Sequence, residues 1–192
     1  ELIIRGNQVV LTRNEDKEIS LTDRTALANR LKADIFISIH LNSTSELQGA
    51  AHGIETYILN HATDASSRRL ADLENSVLKE SQAKEKGASS NISLIMKDMI
   101  LDANLIPSKA LACAVQNKLK MGSKNRGVRQ ALFYVLLGTD MPSILIEAGF
   151  LNNKEDRERA LNSDSRQKMV NRIAAAIEDY RLKKSSTQCH VL

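Results

Sequence analysis

Two short apolar runs, each closed by an ionisable residue, constrain this chain more than any other feature. The first is Ile35-Phe36-Ile37-Ser38-Ile39, closed by His40. The second is Ser143-Ile144-Leu145-Ile146, preceded by Pro142 and closed by Glu147. A nearly unbroken apolar run of this length fits a strand covered on both faces, as in a parallel sheet, and proline is tolerated at a strand's first position. An ionisable group straight after such a strand is costly to bury unless it is paired or bound to a metal. Open α/β sheets bind their ligands beyond the carboxyl ends of the strands, so His40 and Glu147 are the candidate site residues. A histidine with a carboxylate is the usual equipment of a catalytic zinc site, the glutamate serving as ligand or as base for a metal-held water. A hydrogen-bonded histidine and a salt-bridged glutamate at the sheet rim is the plainer reading of the same pair.

The rest of the chain alternates between strand and helix signals. Val9–Thr12 reads as a first strand, and Ser20 with Asp23 as the capped start of a helix carrying Leu27, Ala28 and Leu31 and running to about Lys32. Gly53–Leu59 reads as a further strand. From about Thr63 to Lys120 no strand signal occurs. Leu70, Leu73 and Val77 share a helical face, Ser81–Ser90 is polar, and Ile92, Ile95, Met96 and Met99, then Leu111, Val115 and Leu119, mark two more helices. This segment reads as a helical insertion, a lid or a regulatory element, between strands of the sheet. Ala131–Leu136 reads as a strand, and a last helix from about Ser165 to Arg181 carries Met169, Ile173, Ala176, Ile177 and Tyr180 on one stripe. The expected fold is α/β: one domain over 1–181 with an open, mostly parallel sheet flanked by helices, an insertion at about 63–120, and a tail at 182–192.

Composition narrows the function less. The 192 residues suit one domain with a sizeable core, and no apolar run approaches the roughly 18 residues that cross a bilayer. Glu1–Gly6 carries no signal-peptide pattern and no starting Met, which reads as numbering that begins inside a larger gene product or after a removed segment. The net charge of +4 is a mild basic excess. Its densest stretch, Lys118, Lys120, Lys124, Arg126 and Arg129, reads as a solvated loop, with an anionic-polymer or nucleic-acid patch as the other reading. Aromatic residues make up only 3%, too few for a stacking platform, so no nucleic-acid partner is expected. Cys113 and Cys189 have no metal or redox spacing, and Cys113 reads as a small buried apolar residue. Cys189-His190-Val191-Leu192 is a poor prenylation box because His190 is not aliphatic. His52, His61 and His190 show no ligand spacing and read as surface residues.

Longer motifs carry a specific resemblance. Val9-Val10-Leu11-Thr12-Arg13, Leu21-Thr22-Asp23-Arg24-Thr25-Ala26-Leu27-Ala28-Asn29 and Ala33-Asp34-Ile35-Phe36-Ile37-Ser38-Ile39-His40-Leu41-Asn42-Ser43 closely resemble the zinc-dependent N-acetylmuramoyl-L-alanine amidases, bacterial enzymes that cleave septal peptidoglycan when daughter cells separate. The second half agrees through Arg126-Gly127-Val128-Arg129-Gln130-Ala131-Leu132-Phe133-Tyr134-Val135-Leu136 and Met141-Pro142-Ser143-Ile144-Leu145-Ile146-Glu147-Ala148-Gly149-Phe150-Leu151-Asn152-Asn153. The resemblance implies a phosphorylase/hydrolase-like sheet, one Zn2+ per complete active site, His40 as the second zinc-ligating histidine and Glu147 as the catalytic glutamate. It also implies hydrolysis of the amide bond between N-acetylmuramic acid and L-alanine, a peptidoglycan substrate, and a periplasmic or otherwise extracytoplasmic location.

The helical insertion resembles the cell-division branch of this family, in which a regulatory helix fills the active site until a protein activator displaces it. Leu70-Ala71-Asp72-Leu73-Glu74-Asn75 best resembles the plugging segment, which makes Glu74 the candidate regulatory residue. A solvated acid on an amphipathic helix is the other reading of Glu74. The family's Asp-Pro-Gly-His-Gly-Gly turn, with its first zinc histidine, and the glutamate ligand after it have no counterpart in this sequence. A βα unit of roughly 30 residues is therefore expected upstream, and its strand should leave a gap or a raw sheet edge here. Three explanations stand: a fragment of a complete enzyme, a natural short form that binds cell wall without catalysis, or substitute ligands from Glu55, His52 or His61.

Overall fold

The computed structural model describes residues 1–43, 51–76, 90–120, 123–183, 189 and 191–192, the side chains of 90–103 aside. Its elements run α1 (Leu21–Arg30), β1 (Phe36–Asn42), β2 (Ile54–Leu59), α2 (Ala65–Asn75), α3 (Ser90–Leu119), β3 (Asn125–Ala131), β4 (Ser143–Phe150), α4 (Lys154–Leu161) and α5 (Ser163–Arg181). Four strands form one sheet in the order β1-β4-β2-β3. β1 runs parallel to β4 and β2 parallel to β3, while β2 and β4 are antiparallel. Two of the three pairings are thus parallel, and the α/β class read from the sequence holds.

Alternation along the strands sorts side chains onto two faces. Ile54, Ile58, Ile144 and Ile146 face α3 and α5, where Leu111, Val115, Leu119, Ile173 and Ile177 complete one core. Phe36, Tyr57 and Leu145 face the other way, against Ala28 of α1, Leu70 and Ala71 of α2, and Phe133. By the same period of two, His40, Glu55 and Glu147 share the α2 face. The sheet is therefore a layer between two helical covers, and the candidate site lies on the cover formed by α2.

Several expected elements differ. Val9–Thr12 forms no strand; Val10 and Leu11 are exposed, and an extended segment without a ladder beside it gains nothing from β-branched propensity. β1 is an edge strand of the described sheet and exposes Ile39 and Leu41. The expected strand at Ala131–Leu136 ends at Ala131: β3 starts earlier, at Asn125, and Phe133, Val135 and Leu136 are buried in the turn that follows it. The two helices expected between Ile92 and Leu119 are a single helix that continues through Pro107, because the packing of its second half overrides the local helix-breaking preference. That half, Leu111–Leu119, belongs to the core. Val77, residues 81–89, the side chains of Ile92, Ile95, Met96 and Met99, and His190 lie outside the described residues.

The cysteines are also corrected. Cys113 and Cys189 form a disulfide across 76 residues, with Cα atoms 5.6 Å apart. Wide spacing hides such a pair from sequence inspection. The bridge holds the C-terminal segment against the sheet edge, where Val191 pairs with Val128 and the Leu192 N–H donates to the Val128 carbonyl at 2.9 Å.

Candidate metal centre

Strand register builds the site. His40 stands opposite Glu147 on the parallel β1–β4 pair, and Glu55 stands opposite Glu147 on the antiparallel β2–β4 pair. Directly opposite residues in neighbouring strands project to the same side of the sheet. α2 completes the cluster from above. Its N-cap Asp64 accepts from the Ser67 N–H, and its buried stripe runs Ser67, Leu70, Ala71, so Glu74, seven residues after Ser67, comes down on the sheet. The Glu74 carboxylate reaches His40 Nδ1 at 3.2 Å. His40 Nε2 lies 3.1 Å from Ser38 Oγ. One ligand atom each from His40, Glu74 and Glu147 lies within 4.8 Å of the other two. The three residues singled out by the sequence are thus together, whereas Glu55, His52 and His61 are not members of this cluster.

The two buried glutamates of the sheet differ in how they are satisfied. Glu55 accepts from Tyr57 Oη at 2.9 Å and Asn42 Nδ2 at 3.3 Å, and pairs with Arg126 Nε at 2.7 Å and Arg129 Nε at 3.4 Å. Arg129 continues to Asp64 at 3.0 Å. Burial pulls against the Asp64 carboxylate, but bonds from Ser66 and Ser67 and the Arg129 charge hold it below the ordinary carboxylate range. Glu147 has 0% exposure, and among the described residues neither carboxylate oxygen has a hydrogen-bond partner. Burial first, then the Glu74 and Glu55 charges, push its carboxyl up to about 9. A buried, unpartnered carboxylate is the kind of group that a cation satisfies. With one imidazole nitrogen and two carboxylates converging, the residues present fit a zinc ion, which takes such ligands.

Sequence reading missed the Glu55–Arg126–Arg129 network. Strict alternation would put Arg126 and Arg129 on opposite faces of β3; the register shift between the Ile54–Asn125 and Thr56–Val128 pairs brings both to Glu55, and no sequence period signals it. Three cations of the basic stretch are engaged by acids: Lys118 pairs with Asp179 at 2.8 Å, and Arg126 and Arg129 pair with Glu55.

An α/β sheet that sets a histidine and a carboxylate opposite each other on adjoining strands, under a second carboxylate carried by α2, is an arrangement suited to a hydrolase. The chain belongs to the N-acetylmuramoyl-L-alanine amidase family, whose pattern it matches over residues 1–179. It is 32% identical over 178 residues to the N-acetylmuramoyl-L-alanine amidase AmiC of Escherichia coli, covering 91% of this chain and 42% of that protein. It is 33% identical over 180 residues to AmiC of Neisseria meningitidis, again covering 91% of this chain and 42% of the relative. The chain thus spans less than half the length of these two relatives. Among solved structures, an N-acetylmuramoyl-L-alanine amidase from Clostridium difficile 630 superposes with a TM-score of 0.66 at 29% identity, covering 93% of this chain and 74% of that one. AmiC2 of Nostoc punctiforme gives a TM-score of 0.66 at 29% identity, with 94% and 76% covered.

Proposed function

We propose that this chain carries the hydrolytic centre of a peptidoglycan amidase, which cleaves the amide bond between N-acetylmuramic acid and the L-alanine of the stem peptide during wall remodelling and daughter-cell separation. The observation that supports it best is the convergence of His40, Glu74 and Glu147 on one face of the sheet, in a chain of the amidase family. His40 would hold zinc, and Glu74 would join it as a further ligand only while α2 lies on the sheet. A zinc ion held there would supply a water of lowered pKa, towards about 7, and polarisation of the amide carbonyl. Glu147 is the proton carrier: its carboxyl sits in a dry wall, binds a proton readily, and returns it to the departing amine. Glu55, paired with Arg126 and Arg129, keeps a second charge fixed beside it.

Glu74 closes the centre. Its carboxylate, carried on α2, takes the side of His40 and Glu147 from which a substrate has to approach. The enzyme is therefore autoinhibited in this arrangement, and a protein activator that draws α2 from the sheet opens it. The location is extracytoplasmic, periplasmic where two membranes are present; the Cys113–Cys189 disulfide suits an oxidising compartment. Among the described residues no helix is long and apolar enough to cross a membrane.

Release of dye from labelled peptidoglycan in the presence of zinc tests the reading. Glu147→Gln is expected to lower the rate by about 10²–10⁴-fold, the usual worth of a positioned acid–base group. Glu74→Ala is expected to raise the basal rate. An unchanged rate for the first variant removes Glu147 from the reaction, and an unchanged rate for the second removes the plug.

A further inference from the structure

The last residue of α2 stands beside Glu74 and makes a bond pattern that a helix end does not need. Asn75 Nδ2 donates to the Leu132 carbonyl at 2.7 Å, and its Oδ1 accepts from the Tyr134 N–H at 2.8 Å. Both partners are main-chain groups of the turn after β3. Phe133, between them, is fully buried and packs edge-on against Tyr57 at 4.9 Å, with Leu136 buried close behind. The turn is therefore anchored in the core and the side-chain amide is anchored on the turn. An asparagine amide alone among small side chains offers a donor and an acceptor at this spacing, so it clasps one backbone segment from both sides.

We propose that Asn75 is the latch that holds Glu74 over the metal centre, a positioning residue for the autoinhibited state. The inference rests on the reading of Glu74 as a plug. At its N-terminal end α2 is fixed by the Asp64–Arg129 contact, and along its length by Ser67, Leu70 and Ala71. Leu70 and Ala71 hold the turn that precedes Glu74, and Asp64 and Ser67 hold the start of the helix. Among the described residues, the other polar contact between the last turn and the sheet is that of Glu74 with His40, whose two side chains are each 29% exposed. A group so exposed is weakly held in water, because solvent screens the pair and competes for both partners. The two bonds of Asn75 to a core-anchored backbone supply the missing constraint. They also set the point at which an opening force has to act, since breaking one side chain's contacts frees the turn that bears Glu74.

Two readouts that need no catalysis decide this on the whole chain. One is hydrogen exchange of the peptide covering 65–76, compared with β4. The other is the rate at which diethyl pyrocarbonate acylates His40, followed by mass spectrometry. Asn75→Ala is expected to speed exchange in 65–76 by about tenfold or more while β4 stays protected, and to speed His40 acylation several-fold. Asn75→Asp keeps the acceptor for the Tyr134 N–H but loses the donor to Leu132, so it should fall between Ala and the parent. Glu74→Gln should speed His40 acylation without loosening 65–76 to the same extent. If Asn75→Ala leaves His40 acylation at the parental rate while Glu74→Gln raises it, Asn75 is a helix cap only and the latch is refuted with the plug intact. If neither variant changes His40 reactivity, the Glu74 contact does not shield the centre and the plug fails with the latch.

Discussion

Reducing the Cys113–Cys189 bridge should cost this fold a large part of its stability. The bond closes a loop across 76 residues. By the chain-entropy argument a loop of that length restricts the unfolded ensemble by about 4.5 kcal/mol. For a chain of this size that is a fall in Tm of roughly 9–18 °C. Cys113 lies at 0% exposure on α3, whereas Cys189 belongs to the C-terminal segment, so Cys189→Ala breaks the bridge without opening the core. Guanidinium unfolding of the oxidised chain, the chain reduced with a phosphine, and Cys189→Ala gives the comparison. The reduced chain and the variant should share a midpoint well below the oxidised one. In both, the Leu192 amide, which donates to the Val128 carbonyl, should lose its exchange protection. Coincident midpoints, or two titratable thiols in the native air-oxidised protein, refute the reasoning.

Other consequences follow from single residues. The Glu147 carboxyl binds its proton more tightly folded, at about 9, than a free glutamate does, so its contribution to stability is complete below the ordinary value of 4.5 and is lost as pH rises towards 9. The chelator-treated chain should therefore weaken across that window by up to about 1.4 kcal/mol per pH unit from this group, and Glu147→Gln should flatten the slope measured by denaturant midpoints. Gly53 sits at φ +107, and a Cβ there would stand 2.3 Å from the Lys124 carbonyl oxygen. Gly53→Ala should destabilise by about 2–4 kcal/mol in thermal unfolding, combining strain with a forced shift of backbone. Buried Asp156 accepts from the N–H groups of Gly53 at 2.8 Å and Phe150 at 3.0 Å, tying the start of β2 to the end of β4. Asp156→Ala leaves both donors without their partner and should cost about 2–4 kcal/mol in the same assay.

Much of the site was legible because strand chemistry is local. His40 and Glu147 announced themselves as charges at the end of apolar runs, and the register of β1 on β4 then placed them side by side. Glu74 was different: an acid on an amphipathic helix carries no signal of its own, and only the family resemblance singled it out before α2 brought it within 3.2 Å of His40. β3 starts earlier than its apolar residues suggest because its arginines look like loop charge until Glu55, more than 70 residues earlier in the chain, neutralises them. α4 escaped notice because it is short and polar, although Asn153 with Asp156 three residues later is a cap signal. Val9–Thr12 shows the converse: strand propensity is not a strand until a neighbour supplies the ladder. The disulfide and the Asn75 clasp join residues 76 and more than 50 positions apart, a range at which periodicity is silent.

Whether His40, with Glu74 seated beside it, holds a metal next to Glu147 is tested most directly by zinc per chain after dialysis against trace metal. About one tightly held zinc ion per chain is expected by elemental analysis, lost in His40→Ala and retained in His61→Ala, whose exposed residue lies outside the cluster. A chain that retains no zinc, or a zinc content indifferent to His40→Ala, contradicts it.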